Sequence, residues 1–183
     1  MLIRTAEQDI KYVLFTEEQI ASRVSELAKE LCARLEGKRP LMICVLRGAS
    51  FFFADLCRKM TMDLDMDFIA VSSYGSGATS SGAVRLLKDT RYDVEGRDLV
   101  LVEDIIDSGL TIQYLKRLYA ARNPASITTV SFLDKDTGKP GKPGVDLCGY
   151  TIANEFVVGY GLDYADHYRN LPYIGVIKPE CYQ

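Results

Sequence analysis

The stretch LVLVEDIIDSGLT, residues 99–111, decides the fold of this chain. Its first four residues are apolar without interruption, which predicts a strand buried on both faces, as in the middle of a parallel sheet covered by helices. Strands alternate with helical patterns through the middle of the chain, so we expect an α/β fold with a mostly parallel, helix-flanked sheet. The helix expected after the turn has apolar residues at helical spacing, namely Ile112, Leu115, Leu118 and Tyr119.

The turn between this strand and this helix has the composition of a phosphate site. Backbone N–H groups and the helix dipole favour an anion at a helix N-terminus, glycine supplies backbone freedom, and the serine and threonine supply hydroxyls. Glu103 and Asp104 lie just before the turn, where carboxylates suit ribose hydroxyls or a hard cation such as Mg²⁺. A strand that ends in solvated acids is the alternative for any single carboxylate, but it does not explain the whole string. The predicted phosphate-binding residues are Asp107, Ser108, Gly109, Leu110 and Thr111.

The pattern ED-II-D-S-G-x-T resembles the phosphoribosyl pyrophosphate signature of the type I phosphoribosyltransferases, in the version of the hypoxanthine-guanine enzymes. The resemblance runs from about Leu41 to Ile177 and is weakest in residues 137–149. It implies the fold of that family, with one domain over 1–183, a core of about 16–135 and a small hood built from about 1–15 and 136–183. It also implies transfer of the phosphoribosyl group to hypoxanthine or guanine, with Mg²⁺ as cofactor, ribose and metal contacts from Glu103 and Asp104, and Asp107 as the base that takes the purine N7 proton.

The same resemblance assigns the groups that bind pyrophosphate. Arg47 and Gly48 follow the strand predicted over 41–46 and match the short pyrophosphate loop of the family, in which the preceding peptide bond is typically cis. An isolated arginine there would otherwise be read as a solvated loop residue. Arg169 matches a second pyrophosphate-binding arginine.

The base site is assigned in the same way. Lys135 matches the lysine that donates to the oxygen at position 6 of the purine, although a lysine between two aspartates is by pattern alone a surface charge cluster. Phe156 matches the ring that stacks on the purine. From its residue type alone, it could equally be a phenylalanine of the hydrophobic core. Val157 matches a residue with backbone contacts to the base edge. Asp163 matches a residue beside the base and a second Mg²⁺.

A lid is predicted between two strands. Residues 75–82, GSGATSSG, are eight small residues, more than a tight hairpin needs, although an ordinary hairpin connection is the alternative. The family's catalytic loop starts at a Ser-Tyr pair, which is Ser73 and Tyr74 here. The glycines do not fit a dinucleotide fingerprint, and no lysine completes a P-loop.

Composition limits the classes of protein and partner. The 183 residues, 48% of them hydrophobic, are typical of one soluble domain, and a net charge of −3 gives no general attraction to nucleic acid or an anionic membrane. Five cysteines without a C-x-x-C pair suit reduced thiols. No signal peptide or 18-residue apolar run occurs, so a cytoplasmic location is expected.

Two rival functions stay open at this point. One is an RNA-binding regulator on the same fold, which the acidic balance and the lack of a Lys/Arg-rich stripe disfavour. The other is a phosphoribosyltransferase for adenine or a pyrimidine, which Lys135 and the string from Phe156 to Asp163 disfavour. The resemblance implies phosphoribosyl pyrophosphate and a purine base as partners, no nucleic acid or membrane, and a homodimer or homotetramer.

Overall fold

The computed structural model describes residues 6–73, 84–138 and 142–182. Most of the expected strand and helix patterns appear in it as elements. In chain order these are α1 Ala6–Asp9, β1 Ile10–Phe15, α2 Glu17–Arg34, β2 Leu41–Leu46, α3 Ser50–Lys59, β3 Asp65–Ser73, β4 Val84–Lys88, β5 Asp98–Ile106, α4 Leu110–Ala120, β6 Ser126–Lys135, β7 Leu147–Ile152, β8 Val157–Val158, β9 Ile174–Ile177 and a short 3₁₀ helix, Pro179–Cys181.

Six strands form the main sheet, in the order β4-β3-β2-β5-β6-β7. All neighbouring pairs are parallel except β3 and β4, so the sheet is mostly parallel as the sequence predicts. Because β2, β5 and β6 run in the same direction, their carboxyl ends meet at one edge, where Ile106 lies opposite Asp134. That edge is where an open α/β sheet normally holds its ligand.

The central strand β5 is buried on both faces, which confirms the expectation from its unbroken apolar run. Val100 and Val102 pack with residues of α2 and α3 on one face of the sheet. Leu99 and Leu101 pack with residues of α4 on the other face. Since the side chains of a strand alternate between faces, one strand supplies both layers of the core.

Helix α2 begins where the sequence places a capping box. The Gln19 N–H donates to Thr16 Oγ1 at 3.3 Å, and the Thr16 N–H donates to Gln19 Oε1 at 2.9 Å. Two amides at the helix start are satisfied in this way. The helix then buries one apolar stripe against the sheet layer, made of Ile20, Val24, Leu27, Leu31 and Leu35.

A second, three-stranded antiparallel sheet joins the two ends of the described chain. Its order is β1-β9-β8, with Phe15 opposite Ile174. We call this sheet and the loops between residues 153 and 173 the hood. From the sequence, we expect all of residues 136–183 to lie in the hood. In the structure, however, β7 pairs with β6 and so belongs to the main sheet. Edge strand β7 therefore extends the core beyond residue 135.

Two further observations bear on the class of protein. All five cysteines are free thiols, so they form no disulfide framework. Within the described ranges, we find no helix long and apolar enough to cross a membrane.

Candidate active site

A cavity of about 730 Å³ opens at the carboxyl edge of the main sheet. It is walled by the ends of β2, β3 and β5, the start of α4 and one loop of the hood. Residues predicted from four separate parts of the sequence meet in it: Arg47, Gly48, Glu103, Asp104, Thr111, Asp163 and Arg169.

The turn after β2 fits tightly against the end of β5. The peptide bond between Leu46 and Arg47 is cis. A Cβ atom at Gly48 would lie 1.5 Å from Asp104 Oδ2, so any larger residue would force that carboxylate to move. On the hood side, a Cβ atom at Gly161 would lie 2.0 Å from the Gly48 carbonyl oxygen. Three layers are thus in direct contact: the Asp104 carboxylate, the Gly48 turn and the hood loop.

Glu103 and Asp104 form an acidic pair at the base of the cavity. Burial raises the pKa of Glu103 well above its usual value, and the charge of Asp104 raises it further. Burial also raises the pKa of Asp104, although the N–H of Ile105, which donates to Asp104 Oδ1 at 2.8 Å, and the charge of Arg169 oppose that rise. A cation beside the pair would favour its ionised form.

These two carboxyl groups fit Mg²⁺ by their chemistry. Mg²⁺ prefers hard oxygen donors and commonly binds through one or two protein carboxylates together with substrate phosphates. In the parts of the chain that the structure describes, no group of three or more His, Cys, Asp or Glu side chains is arranged to hold a metal ion. The pair therefore suits a cation that arrives with a phosphorylated ligand better than a cage built only of protein atoms.

The predicted phosphate loop lies between β5 and α4. Gly109 is the N-cap of α4 and has φ +76°, a left-handed conformation that glycine adopts without strain. It carries no side chain over the first amides of the helix, and Asp107 and Ser108 are exposed. A Cβ atom at Gly109 would lie 2.4 Å from Pro143 Cγ. The loop thus brings the N-terminus of α4 to the carboxyl edge of the sheet beside two exposed residues, where an anion site is expected.

Two arginines and two aspartates form a network at the mouth of the cavity. Arg169 is paired with Asp163 at 2.7 Å, and its guanidinium also donates to the Gly161 carbonyl oxygen at 2.7 Å. Arg47 is paired with Asp166 Oδ1 at 2.5 Å, and Arg169 reaches the same oxygen at 3.3 Å. Asp166, which the sequence patterns did not single out, therefore bridges the two arginines.

The predicted base-binding residues lie beside the phosphate loop. Lys135 ends β6 with its side chain only 13% exposed, and its Nζ atom lies 3.7 Å from Asp107 Oδ2. The same Nζ atom lies over the Phe156 ring, 5.8 Å from its centroid. Val157 is buried in β8, where it pairs with Val176. Asp107, Lys135 and Phe156 are thus neighbours, although they are far apart in sequence.

Lys142 is a second residue that the sequence did not reveal. The residues around it, 137–144, read as a surface turn with no visible chemistry. In the structure the Lys142 side chain is 14% exposed, and its ammonium donates to the carbonyl oxygens of Ile106 and Lys135 and to the Asp134 carboxylate. Lys142 therefore ties the ends of β5 and β6 together next to Asp107. A lysine in a Gly- and Pro-rich turn carries no signal of such a role.

The lid expected between β3 and β4 begins at Ser73, the last residue of β3. Tyr74 and the rest of the predicted lid lie outside the described residues.

The comparison with protein families gives the class of this chain. Residues 14–165 match the model of the phosphoribosyl transferase domain. The chain therefore belongs to the phosphoribosyltransferase family. This confirms the resemblance first seen in residues 103–111.

Named relatives narrow the class further. The chain is 49% identical to the hypoxanthine-guanine phosphoribosyltransferase of Bacillus subtilis, over 97% of this chain and 98% of that protein. Its structure superposes on a crystal structure of a hypoxanthine phosphoribosyltransferase from Staphylococcus aureus with a TM-score of 0.93, at 38% identity and 100% coverage of both chains. The bifunctional protein TilS/HprT of Listeria innocua is also 49% identical over 95% of this chain, which spans only 27% of that longer protein.

Proposed function

We propose that this protein transfers the phosphoribosyl group of phosphoribosyl pyrophosphate to hypoxanthine or guanine. The products are IMP or GMP and pyrophosphate, so the reaction is one of purine salvage. The observation that carries the proposal is the meeting, at one sheet edge, of a helix N-terminus, an acidic pair and two arginines with a lysine and an aromatic ring. The Bacillus subtilis relative, at 49% identity, supports the same activity.

The cavity supplies what the leaving group needs. As the bond between the anomeric carbon and the pyrophosphate breaks, positive charge develops on the ribose and negative charge develops on the departing pyrophosphate. Arg47 and Arg169 line the cavity, and guanidinium groups bind phosphate oxygens through paired N–H donors. Residues 107–111 hold the 5′-phosphate, so the ribose is fixed between two anion sites.

Glu103 and Asp104 have two roles in this proposal. They accept hydrogen bonds from the ribose hydroxyls, and together with Asp163 they would hold Mg²⁺. When bound, Mg²⁺ neutralises phosphate charge and stabilises the departing pyrophosphate. Arg169 is paired with both Asp163 and Asp166, so Asp163 would have to leave Arg169 to Asp166 in order to help hold the metal.

Asp107 is the general base. Its carboxylate is 63% exposed at the side of the site nearest Lys135, where it is free to take the proton from purine N7 as the new bond forms. Lys135 donates to the oxygen at position 6, Phe156 stacks on the ring, and Val157 offers backbone groups to the base edge. Ser73 and Tyr74 begin the lid that excludes water, which otherwise competes with the purine as nucleophile.

Initial rates with four bases at saturating phosphoribosyl pyrophosphate test the proposal. Lys135 is a donor only, so a purine with an acceptor at position 6 is favoured and adenine should be poorer by ~10⁴-fold or more. Xanthine should be poorer than guanine, because its 2-oxo group faces backbone carbonyl oxygens that suit a 2-amino group. Adenine turnover equal to that of hypoxanthine would refute both the role of Lys135 and the choice of base.

The remaining parts of the proposal concern the substrates, the cellular location and the oligomeric state. The partners are phosphoribosyl pyrophosphate and a purine base, and we propose a cytoplasmic enzyme that forms a homodimer or homotetramer. Size-exclusion chromatography with light scattering at several protein concentrations tests the assembly. A constant mass of one chain, 20.4 kDa, would contradict it.

A further inference from the structure

An aromatic cluster near the C-terminus packs against the ring proposed to stack on the base. The rings of Phe156 and Tyr182 are stacked, with centroids 4.9 Å apart and planes 24° apart. Tyr164 meets both rings edge-on, with its centroid 5.5 Å from that of Phe156 and 6.3 Å from that of Tyr182. None of the roles assigned above uses Tyr164 or Tyr182.

The segment that carries Tyr182 is fastened to the hood on two sides. The N–H of Ile177 donates to the carbonyl oxygen of Phe156 at 3.0 Å, so the strand leading to Tyr182 is bonded to the same residue that its ring covers. The N–H of Lys178 donates to the carbonyl oxygen of Asp9 at 2.9 Å. These backbone hydrogen bonds hold the strand that leads to Tyr182 against the residue that its ring covers.

Lys135 is a second neighbour of the Phe156 ring. Lys135 Nζ lies 5.8 Å from the ring centroid and 3.7 Å from the Asp107 carboxylate, so the flank toward Lys135 is the one that faces the proposed base. We propose that Tyr182 covers the opposite face of Phe156 and is a positioning residue that holds this ring ready to stack on the purine. The inference rests on the proposed function and adds a residue to its base site.

The physical reason is the cost of ordering an aromatic ring at the moment of binding. A partly exposed phenylalanine with one free face samples several orientations, and a ligand that needs one of them binds more weakly. A stacked aromatic neighbour removes that freedom in advance, and aromatic pairs contribute beyond the area they bury. Because stacking uses the face of the purine, the effect should not depend on the groups at its edge.

The experiment compares KM values for the two substrates in Tyr182→Ala. We expect the KM for hypoxanthine to rise about three- to tenfold, with the KM for phosphoribosyl pyrophosphate and kcat nearly unchanged. The KM for guanine should rise by the same factor. Tyr182→Phe keeps the ring and should restore the wild-type KM.

A matched control removes another tyrosine ring from the hood. Tyr12 in β1 is 40% exposed, and its hydroxyl donates to Glu155 at 2.6 Å. Tyr12→Ala should leave the KM for hypoxanthine unchanged.

Three results would overturn the role of Tyr182: an unchanged KM for hypoxanthine, a lowered one, or an equal rise in the KM of both substrates. A lowered KM would mean that Tyr182 occupies the place of the base, and an equal rise would mean that it only keeps the hood folded. A wild-type protein inactive with every purine would instead refute the proposed function, so the two failures are distinguishable.

Discussion

Asp107 is the residue on which the proposed chemistry depends most. Asp107→Asn keeps the shape of the side chain and the backbone of the phosphate loop but removes the proton acceptor. We expect kcat to fall by ~10²–10⁴-fold, the usual range for loss of a positioned general base. Steady-state kinetics with hypoxanthine measure this, and the KM for phosphoribosyl pyrophosphate should change little. Unimpaired turnover in this variant would remove Asp107 from the mechanism.

Asp166 competes with the substrate for the arginines. Its Oδ1 atom lies 2.5 Å from Arg47 and 3.3 Å from Arg169, the two groups proposed to bind pyrophosphate. Asp166→Asn should therefore lower the KM for phosphoribosyl pyrophosphate and strengthen product inhibition by pyrophosphate. The change should be only about two- to fivefold, because the pair is exposed and such pairs are weak.

The control for that experiment is Asp136→Asn, which changes an aspartate that accepts a hydrogen bond from the Gly138 N–H. This variant should change neither the KM for phosphoribosyl pyrophosphate nor the inhibition constant of pyrophosphate. If Asp166→Asn raised the KM for phosphoribosyl pyrophosphate, the carboxylate would be organising the arginines for the substrate, and competition would be the wrong description.

Among single residues, the sequence predicts site residues that are adjacent in the chain, but not those whose role depends on partners far away in the chain. Glu103, Asp104 and the loop that follows were predictable because one strand end and one helix start carry all of them. Asp166 and Lys142 were not, because their roles come from contacts with residues far away in the chain. The spacing of charges along a loop does not say which arginine or carbonyl group an acid or a lysine will meet.

Among the elements, the turn after β6 has the clearest testable role. Lys142→Met keeps the aliphatic stem but leaves the carbonyl oxygens of Ile106 and Lys135 without their shared donor. We expect the free energy of unfolding to fall by roughly 1–3 kcal/mol, the cost of losing hydrogen bonds to a buried charged group. We also expect kcat to fall, because Asp107 directly follows Ile106. Thermal unfolding and hypoxanthine kinetics measure the two effects.

Lys38→Met is the matched control, because Lys38 contacts the start of β5 whereas Lys142 contacts its end. Lys38 is paired with Asp98, the first residue of β5, at 2.7 Å and is 42% exposed. This variant should lose less stability and keep its kcat. If both variants lost stability without any change in kcat, Lys142 would serve only to hold the strands together.

The elements divide into those with a strong local pattern and those without. β2 and β5 are buried on both faces, so their apolar runs stand out, and the predicted span of β2 agrees with the observed one. β7 reads LCGYTI with a glycine in its middle, and β1 and β9 become strands only by pairing with each other across the whole chain. Such pairing depends on tertiary contacts that residue propensities do not contain.

At the scale of the whole molecule, one buried carboxylate should influence resistance to acid. Burial by itself raises the pKa of Asp67, but hydrogen bonds from Thr90, Arg91 and Phe68 and the charge of Lys88 outweigh it and lower the pKa to about 2. A pKa below that of the unfolded chain means that Asp67 stabilises the fold above pH ~4 and that this contribution is lost as the pH falls toward 2.

Asp67→Asn tests this by denaturant unfolding from pH 7 down to pH 2. The variant should be less stable at pH 7, by on the order of 2 kcal/mol, and the difference from the wild type should shrink between pH ~4 and ~2. Asp93→Asn, in an exposed loop, is the control. A difference that is constant over this whole range would show that the charge of Asp67 is not what matters.

The general architecture was predictable at this scale, whereas the boundary between its parts was not. Alternating strands and helices specify a mostly parallel sheet covered on both faces, and the sheet has that form. The transition from core to hood was expected near residue 135, but β7 continues the main sheet to Ile152. An edge strand reached through a Gly- and Pro-rich connection resembles, in sequence, the loops of a separate layer.

The contact of Gly48 with Asp104 and Gly161 bears on how variation in this protein should be interpreted. Neither glycine has an atom that reacts, yet a side chain at either would collide with a carboxylate or a backbone carbonyl group. Both positions should therefore be as intolerant of substitution as a residue that carries out the chemistry. In a survey of natural variants, intolerance at these two glycines would reflect the close packing of the Gly48 turn against Asp104 and the hood loop. Only separate measurements of abundance and turnover would tell such sites from catalytic ones.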